Sequence, residues 1–384
     1  MGDVARAVNI AELRRMARAR LPRVVFDYLD GGAEDERTLR DNVAAFRRWQ
    51  FRPRHGEATG AFDLSTKVMG QNLAWPMLAA PIGYSGLMHR DGERGMGRAA
   101  AKADIAYVMS TISGTAMEEV AATGVPLFLQ IYLLGGREAG EATLARAREA
   151  GVKGLFLTVD TAVAGLRERD LRNGLVQLMG RDIAAKLPYL PDVLAHPRWV
   201  FDYLMGARMT HLPNVIVPGK GPLPLTDVAS ALARSLVTWE DLAWIRAQWK
   251  GPIAVKGVLT GEDARRAVDG GADAVVVSNH GGRQLDGVAA SLDALPEIVQ
   301  AVGRDCDVLM DGGIRRGGDI AKALALGACA VLVGRAGAYG LAAGGEAGAR
   351  RAFAILGADL MRTLALLGRP SAALLDGSCL QRRD

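Results

Sequence analysis

A histidine and an arginine lie three residues apart in a glycine-rich turn, and their side chains are well suited to chemistry. They are His280 and Arg283, within residues 278–287, and they follow the apolar, β-branched run 274–277. Such a run predicts a buried strand, so both side chains are expected to project into one cleft at its end. A base beside a fixed cation suits proton abstraction from a bound anion. A turn whose glycines only permit bending, with its polar residues in water, is the alternative.

Two glycine- and arginine-containing loops near the end of the sequence predict a phosphate site. Asp311, Gly313 and Arg315 follow one apolar run, and Gly334 and Arg335 follow the next. Glycines let backbone N–H groups approach an anion, and a nearby arginine adds a bidentate charge. A phosphorylated cofactor or substrate is therefore expected between the two loops. The alternative is that both arginines are surface residues.

Three further charged residues are expected in the same cleft. Lys256 ends an apolar run, where an unpaired charge is costly and usually has a ligand or partner. Arg167 and Arg283 could reach one carboxylate, which the planar fork of arginine suits. With His280 as general base, Asp160 is expected to hold one imidazole nitrogen and to stabilise the imidazolium. A helix cap or a salt bridge with Arg167 is the alternative for Asp160.

The elements that must position these residues form a repeated unit: a short apolar run, a polar or glycine-rich tip and an amphipathic helix. Eight runs cover residues 77–81, 106–110, 127–132, 155–160, 253–256, 274–278, 308–311 and 330–334. Strands alternating with helices at roughly 20–30-residue spacing predict an α/β fold, a (β/α)8 TIM barrel with its active site at the carboxyl ends of the strands. A doubly wound open sheet is the weaker alternative.

A single domain over residues 1–384 is expected, with the barrel over residues 76–368. Residues 1–75 precede it, with short helices over residues 11–49 and an extended hairpin over residues 62–73. A gap of roughly 90 residues after the fourth strand predicts an insertion over residues 174–237.

The insertion combines an aromatic and basic patch with a proline- and glycine-rich stretch, residues 213–224. The patch consists of Trp199, Phe201, Tyr203, Leu204 and Met205 beside Arg198 and Arg208. A lid packed against the barrel or a neighbouring subunit is the favoured interpretation. Contact of the patch with a membrane surface is the alternative.

Composition narrows the class of protein. The 384 residues include 49% hydrophobic residues and 47 glycines, with a formal net charge of +5, which suits a globular chain and favours anionic ligands. Basic residues are spread without interleaved aromatics, so no nucleic-acid partner is expected. Cys306, Cys329 and Cys379 have no metal-like or CxxC spacing, so neither a metal site nor a disulfide is expected. No apolar signal core and no run of about 18 apolar residues is present, so a cytoplasmic location is expected.

Residues 278–287 resemble the signature of the FMN-dependent (S)-2-hydroxy-acid dehydrogenases and oxidases, the family of glycolate oxidase, flavocytochrome lactate dehydrogenase and (S)-mandelate dehydrogenase. The similarity runs over nearly the whole chain, and residues 27–35, 167–171 and 196–199 are most similar to the mandelate dehydrogenases. The resemblance implies an oxidoreductase with FMN as cofactor. The expected reaction oxidises a mandelate-like or lactate-like (S)-2-hydroxy acid to the 2-keto acid by hydride transfer to flavin N5.

The resemblance also implies roles for individual residues. His280 and Asp160 act as base and supporting carboxylate, Tyr132 bonds the substrate hydroxyl, and Arg167 and Arg283 hold the carboxylate. A cation near the flavin ring stabilises the negative charge of its reduced form. The residues expected to contact FMN are Pro81, Ile82, Gly83, Ser110, Gln130, Thr158, Lys256, Ser278, Asp311, Gly313, Arg315, Gly334 and Arg335.

Three features bear on the substrate. Many family members have tyrosine where this chain has Phe26, so the resemblance predicts a carboxylate clamp without that hydroxyl, unless Tyr28 or water compensates. Weaker substrate binding by about 1 kcal/mol, one hydrogen bond, is expected. Gly83 occurs in the mandelate dehydrogenases and favours a dehydrogenase over a prompt oxidase. Residues 112–114 include no tryptophan, which predicts room for a larger, aromatic substrate side chain.

Electron acceptors and partners are open at this level. A quinone, another carrier or oxygen is expected to reoxidise the flavin, and oxygen would make the protein an oxidase that releases hydrogen peroxide. A flavin-dependent isomerase is a rival enzyme class, and a barrel that binds flavin or phosphate without catalysis is the rival without enzymatic activity. By resemblance a homotetramer is expected. The insertion resembles the membrane-contacting segment of mandelate dehydrogenase, which would place the protein peripherally on the inner face of a membrane.

Overall fold

Eight parallel strands close into a barrel in a computed structural model of the chain, which describes residues 3–56, 60–175, 177, 182, 184–206 and 210–383. The barrel strands, here β1 to β8, are Met77–Ala79, Ala106–Ser110, Leu127–Ile131, Leu155–Thr158, Ile253–Val258, Ala274–Val277, Asp307–Met310 and Ala330–Val333. Pairing of β8 with β1 closes the sheet. The predicted (β/α)8 barrel is confirmed, and each strand begins within one residue of its predicted start.

The strands are apolar because both of their faces are covered. Every residue of β2, β3, β4, β6 and β8 is buried, as in parallel sheets with helices outside and packed side chains inside. The helices around the barrel and its loops are Ser85–Met88, Gly92–Ala101, Met117–Ala121, Gly136–Glu149, Glu168–Arg172, Trp239–Gln248, Gly261–Asp269, Ser291–Val302, Gly317–Ala325 and Arg335–Leu367. The last of these is interrupted by non-helical backbone at Gly344 and Gly345.

Short helices precede the barrel, as the sequence predicted. They include α1 (Ile10–Arg20), α2 (Arg23–Asp30) and α3 (Arg37–Ala44). A short hairpin of Thr66–Val68 and Gln71–Leu73 lies within the predicted one. Another short strand, Trp49–Phe51, pairs antiparallel with Leu380–Arg382 near the end of the chain. That pairing was not predicted from the sequence.

The insertion after β4 contains helices and a hairpin. Its elements are the 3₁₀ helix Ala184–Tyr189, the helices Leu190–Leu194, Pro197–Met205 and Val228–Ala233, and the strands His211–Val217 and Gly221–Pro224. The hairpin covers the proline- and glycine-rich stretch, residues 213–224, and begins two residues before it. Leu212, Val215 and Val228 belong to one apolar cluster with Ile112 and Leu134 of the barrel loops, so this half of the insertion is attached to the barrel.

The aromatic patch of the insertion is only partly at the surface. Trp199 is 8% exposed, stacks on Tyr203 at 5.1 Å between ring centroids, and donates a hydrogen bond from Nε1 to the carbonyl oxygen of Leu87 at 2.7 Å. Phe201 and Met205 remain exposed, whereas Arg208 lies outside the described residues. Among the helices that the structure describes, none is long and apolar enough to cross a bilayer.

Candidate active site

A cavity of about 470 Å³ opens at the carboxyl ends of the barrel strands. Its volume lies in the range of small-molecule and cofactor sites, about 300–1,000 Å³. The predicted site residues that line it are Pro81, Ile82, Gly83, Ser110, Gln130, Tyr132, Thr158, Arg167, Lys256, His280, Arg283, Asp311, Gly313, Arg315, Gly334 and Arg335. Asp160 and Ser278 lie directly behind this surface, in contact with His280 and Lys256 respectively.

His280 is held by a carboxylate on one side of its ring. Its Nδ1 lies 3.0 and 3.2 Å from the two carboxylate oxygens of Asp160, which leaves Nε2 for a ligand. Although burial favours the neutral acid, the His280 ring and the Lys256 ammonium group lower the pKa of Asp160. Asp160 is therefore ionised at neutral pH and can stabilise an imidazolium. A hydrogen bond from the Thr161 hydroxyl, at 3.0 Å, also reaches this carboxylate.

The backbone of the turn explains why glycines surround His280. His280, Gly281 and Gly282 all have left-handed backbone, with φ of 58°, 66° and 73°. Glycine adopts this conformation readily, whereas for histidine it is unfavourable. Asn279 exchanges two side-chain hydrogen bonds with Asn42 of α3, at 2.8 and 2.9 Å, and so fixes the turn against the N-terminal segment.

Half-buried arginines give the cavity a positive field. Arg283 donates hydrogen bonds to the backbone carbonyl oxygens of Tyr28 and Gly31. Arg335 donates to those of Leu29, Gly31 and Gly281. Burial and the neighbouring Arg283 lower the pKa of Arg335 to about 10, so it stays charged at neutral pH. Two like charges held by carbonyl oxygens favour a bound anion, which would relieve their mutual repulsion.

Arg167 extends this field to the opposite loop. It lines the same cavity as Arg283, and after burial its charge contributes most to the lowered pKa of Arg283. Its Nε donates to Asp170 at 2.9 Å. The salt bridge considered between Arg167 and Asp160 is therefore not the one that forms, and Asp160 pairs with His280 instead.

Lys256 is a buried cation, and the hydrogen-bonding capacity of its partner Asp311 is only partly used. Its Nζ lies 3.0 Å from Oδ2 of Asp311 and donates to the Ser278 hydroxyl at 2.9 Å. Although burial favours the neutral amine, the Asp311 and Asp160 carboxylates raise the pKa of Lys256. The other oxygen of Asp311, Oδ1, is buried without a hydrogen-bond partner among the described residues. Because such an atom is costly to leave unpaired, it indicates a donor supplied by a ligand.

A row of polar side chains crosses the carboxyl ends of β2, β3 and β4. The Ser110 hydroxyl donates to Oε1 of Gln130 at 3.1 Å, and Nε2 of Gln130 donates to the Thr158 hydroxyl at 3.0 Å. All three residues are buried. A connected row of donors and acceptors of this kind can bind the edge of a flat polar ring.

Two backbone features form the anion end of the cavity. Gly313 has a φ of 80°, and a Cβ there would lie 2.0 Å from the carbonyl oxygen of Asn42, so only glycine fits. Gly334 lines the cavity and is the N-terminal cap of the long helix Arg335–Leu367, and the first N–H groups of a helix are available to an anion. Arg315 and Arg335 flank the two loops. These two loops, after β7 and β8, are the ones between which the sequence predicted a phosphate site.

The placement of Phe26 corrects the sequence analysis. Phe26 is 2% exposed and packs beneath the guanidinium groups of Arg14 and Arg18, away from the cavity. Tyr28 lines the cavity instead, with its ring centroid 4.9 Å from the guanidinium carbon of Arg283. Residues two apart on a helix are separated by about 200° of rotation, so the two side chains of α2 cannot share a face.

Several lining residues were not singled out from the sequence. Tyr84, Thr161 and Gln284 line the cavity from barrel loops, and residues 225–232 of the insertion cover part of it. The insertion residues are mostly apolar, which agrees with the lid interpretation. No sequence motif marks them: they lie in the 3₁₀ helix Leu225–Asp227 and the short helix Val228–Ala233, which follow the hairpin.

Comparison with known proteins places the chain in a family. The sequence model of a family described as FMN-dependent dehydrogenase matches residues 17–382. The chain belongs to the FMN-dependent dehydrogenase family. An L-lactate dehydrogenase of Xanthomonas campestris pv. campestris (strain 8004) is 42% identical over 376 residues, which cover 97% of this chain and 96% of that protein. An L-lactate oxidase of Nostoc sp. (strain PCC 7120) is 42% identical over 385 residues, 99% and 100% of the two chains.

Solved structures agree with this assignment. The structure of a monotopic membrane protein, (S)-mandelate dehydrogenase, superposes with a TM-score of 0.91 and 39% identity, covering 98% of this chain and 100% of that one. A mandelate oxidase structure gives a TM-score of 0.82 and 36% identity over 98% of each chain. This FMN-dependent dehydrogenase is thus an oxidoreductase with FMN as its cofactor.

The cavity of this FMN-dependent dehydrogenase has the chemistry that FMN requires. The orphaned Oδ1 of Asp311 can accept from a ribityl hydroxyl, and the Gly313, Gly334 and Arg335 loops can hold a dianionic phosphate. The buried row from Ser110 to Thr158 offers partners to a polar ring edge. The donor set therefore fits the cofactor.

Proposed function

We propose that this protein oxidises an (S)-2-hydroxy acid to the 2-keto acid, with His280 as the base that takes the proton of the substrate hydroxyl. The observation that supports this most is the convergence on one cavity of the His280–Asp160 pair and the arginines Arg167 and Arg283. A base held by an ionised carboxylate and a pair of cations for an anionic substrate are what the reaction requires.

In this proposal the substrate carboxylate lies between Arg167 and Arg283, which line the same cavity as His280. Tyr132 donates to the substrate hydroxyl. Burial and the Asp160 carboxylate raise the pKa of Tyr132, so its phenol stays protonated and able to donate. Nε2 of His280 accepts the hydroxyl proton, and Asp160 stabilises the resulting imidazolium through Nδ1.

FMN, when bound, supplies the acceptor for the hydride that leaves the substrate Cα. Its phosphate is held by Gly313, Arg315, Gly334 and Arg335. Its ring is held by Pro81, Ile82, Gly83, Ser110, Gln130 and Thr158, and its polar groups by Lys256 with Ser278 behind it and by Asp311. The Lys256 ammonium group, kept charged by Asp311, favours negative charge nearby.

The substrate carries a side chain larger than methyl. Ile112, Leu175, Val228 and Leu232 line the cavity, so an apolar wall stands beside the charged groups. The structural neighbours include mandelate enzymes and the sequence relatives include lactate enzymes, so the substrate side chain is expected to lie between methyl and phenyl in size. An apolar wall favours an aromatic or branched acid over lactate, because burial of apolar surface contributes about 25 cal/mol per Å².

The electron acceptor is a quinone at a membrane surface. The exposed apolar side chains of Leu187, Leu194, Phe201, Leu204 and Met205 lie on the insertion helices between residues 184 and 205. Such a cluster suits a surface that enters the interfacial region of a bilayer. The mandelate dehydrogenase with TM-score 0.91 is described as a monotopic membrane protein. The proposal includes assembly as a homotetramer that lies on the cytoplasmic face of the membrane.

Oxygen is the second candidate acceptor. It is favoured by the 42% identity to the L-lactate oxidase of Nostoc sp.. An oxidase would release hydrogen peroxide in proportion to the acid consumed, whereas a quinone-dependent dehydrogenase would reoxidise slowly in air.

The visible spectrum of the purified protein, recorded anaerobically before and after (S)-mandelate or (S)-lactate, tests the function. Bleaching of the flavin band is expected with both acids, faster with mandelate. Admission of air or of a soluble quinone then separates the two acceptors by the rate at which colour returns. A flavin band that neither acid bleaches would contradict the proposed reaction.

A further inference from the structure

The side chain of Gln284 joins the two loops that carry the acid–base pair and the arginines. Its Nε2 donates to the carbonyl oxygens of Asp160 and Val163, both at 2.9 Å, and its Oε1 accepts from the N–H of Gly165 at 3.2 Å. Both N–H donors and the carbonyl of the amide are thus used on the backbone of one loop. We refer to residues 160–166, between β4 and Arg167, as the β4 loop.

The β4 loop has little of its own to hold it. It contains no helix or strand, and among the described residues no backbone hydrogen bond joins two of its members. Its carbonyl at Leu166 accepts from Glu34. The other partners of its backbone include the three from Gln284. Loops with few internal hydrogen bonds open easily, so an external anchor decides their position.

The β4 loop is anchored by the turn that contains His280 and Gln284. Asp160 is bonded twice by this turn, its carboxylate by His280 and its carbonyl oxygen by Gln284. At Gly165 a Cβ would lie 2.2 Å from the carbonyl oxygen of Arg283, so the two backbones are in close contact there. Arg167 follows directly after the β4 loop, and Arg283 directly precedes Gln284.

We propose that Gln284 is a positioning residue that sets Asp160 and Arg167 in register with His280 and Arg283. This inference rests on the proposed function. Gln284 lines the cavity, but its amide hydrogens are both committed to carbonyl oxygens, so it acts through the β4 loop and not by bonding the substrate. Precise placement matters because a displacement of about 1 Å can cost about a hundredfold in rate.

The test uses Gln284→Met, which keeps the length of the side chain and removes all three hydrogen bonds. FMN content should equal that of the wild-type protein, since Gln284 is not among the residues proposed to hold FMN and its three hydrogen bonds all go to the β4 loop. The first-order rate of flavin reduction per bound flavin at saturating (S)-mandelate should fall at least about tenfold. The dissociation constant of phenylacetate, an unreactive carboxylate, should rise severalfold because Arg167 is displaced. Gln381→Met, at an exposed glutamine, is the matched control.

A purely structural role predicts another pattern. The melting temperature would fall while the reduction rate per bound flavin stayed at the wild-type value, and this result would overturn the proposal. If Gln284→Met does not fold, Gln284→Glu keeps the acceptor for Gly165 and loses both donors, and the same loss of rate is expected. In an Asp160→Asn background, Gln284→Met should lower the flavin-reduction rate little further, because both changes disturb the same His280–Asp160 pair. If the rate losses of the two single variants multiplied in the double variant, the proposal would be contradicted.

The wild-type protein separates this inference from the proposed function. If hydroxy acids do not reduce it, the proposed reaction fails, and phenylacetate binding alone then decides the role of Gln284. An unchanged dissociation constant in Gln284→Met would overturn that role.

Discussion

The hydroxyl of Tyr28 donates a hydrogen bond to the carbonyl oxygen of Gly83 at 3.3 Å, from α2 to the loop after β1. Its ring also meets that of Tyr84 edge to face, with 5.6 Å between centroids. The N-terminal helices thus supply a wall of the cavity, and the phenol that sequence similarity located at position 26 is supplied by position 28.

Removal of this hydroxyl should weaken substrate use modestly. In Tyr28→Phe we expect kcat/KM for the hydroxy acid to fall about fivefold, the equivalent of about 1 kcal/mol for one hydrogen bond. Phe26→Tyr is the comparison. Its new hydroxyl enters a site that is 2% exposed, so the melting temperature should fall and substrate affinity should not improve. Tighter substrate binding by Phe26→Tyr would restore the interpretation that the structure corrects.

Loss of the base should separate flavin binding from flavin reduction. His280→Gln keeps a polar side chain but cannot accept the substrate proton, so anaerobic reduction should slow by about 10²–10⁴-fold. The protein should remain yellow, because the imidazole of His280 is not among the groups proposed to hold FMN. His55→Gln, at an exposed histidine, should reduce at the wild-type rate. Reduction of His280→Gln at that rate would exclude His280 as the base.

Arg335 should decide retention of the cofactor. Arg335→Met removes a half-buried charge from the phosphate end, and a hydrogen bond to a charged group is worth about 1.5–3 kcal/mol, so the dissociation constant of FMN should rise about ten- to hundredfold. Fluorescence titration of the apoprotein with FMN measures this. Arg362→Met removes an exposed arginine from the same helix and should leave FMN affinity unchanged. Equal affinities in the two variants would place the phosphate elsewhere.

Acid should destabilise the protein through Asp30. Although burial favours the neutral acid, hydrogen bonds from Arg14 and Tyr339 lower the pKa of Asp30 to about 2. A carboxyl with a depressed folded-state pKa contributes stability above its unfolded pKa of about 4 and loses it as pH falls toward 2, here about 2 kcal/mol.

Urea unfolding of wild type and Asp30→Asn at pH 6, 4 and 3 measures this effect. Asp30→Asn should be less stable at pH 6 and should lose less free energy of unfolding between pH 4 and 3. Parallel losses in both proteins would show that other carboxyls are responsible.

The exposed insertion residues should control binding to vesicles. Phe201→Glu with Leu204→Glu introduces two charges at positions that are 57% and 52% exposed. Co-sedimentation with anionic phospholipid vesicles should be lost, while reduction by (S)-mandelate is retained. Leu366→Glu with Leu374→Glu, at leucines that are 68% and 49% exposed, is the control and should still sediment. Retained sedimentation of the first variant would remove the insertion from the membrane contact.

The barrel was predictable because its signal is local and repeated. Each strand is an apolar run with a polar tip, and the tips of β4, β5 and β6 carry Asp160, Lys256 and His280. These positions follow from the local sequence and do not depend on long-range contacts. Closure then brings the tips together, which is why the part of the cavity lining that comes from strand ends could be predicted.

Contacts set by rotation and by long-range docking were not predictable in the same way. Phe26 and Tyr28 differ only in which side of α2 they occupy, and that depends on how α2 docks on the barrel. The position of Trp199 likewise involves a long-range contact, its hydrogen bond to the carbonyl oxygen of Leu87, that no pattern in the sequence marks.

The carbonyl oxygen of Gly31 accepts from Arg283 and from Arg335, across 252 and 304 positions of the chain. During synthesis on a ribosome, the segment after α2 is complete long before either arginine exists. The pocket must therefore be among the last parts of the protein to mature, since contacts between such distant positions form slowly. A nascent chain arrested just before residue 335 would already contain the sequence of every barrel strand, yet it should not acquire yellow colour.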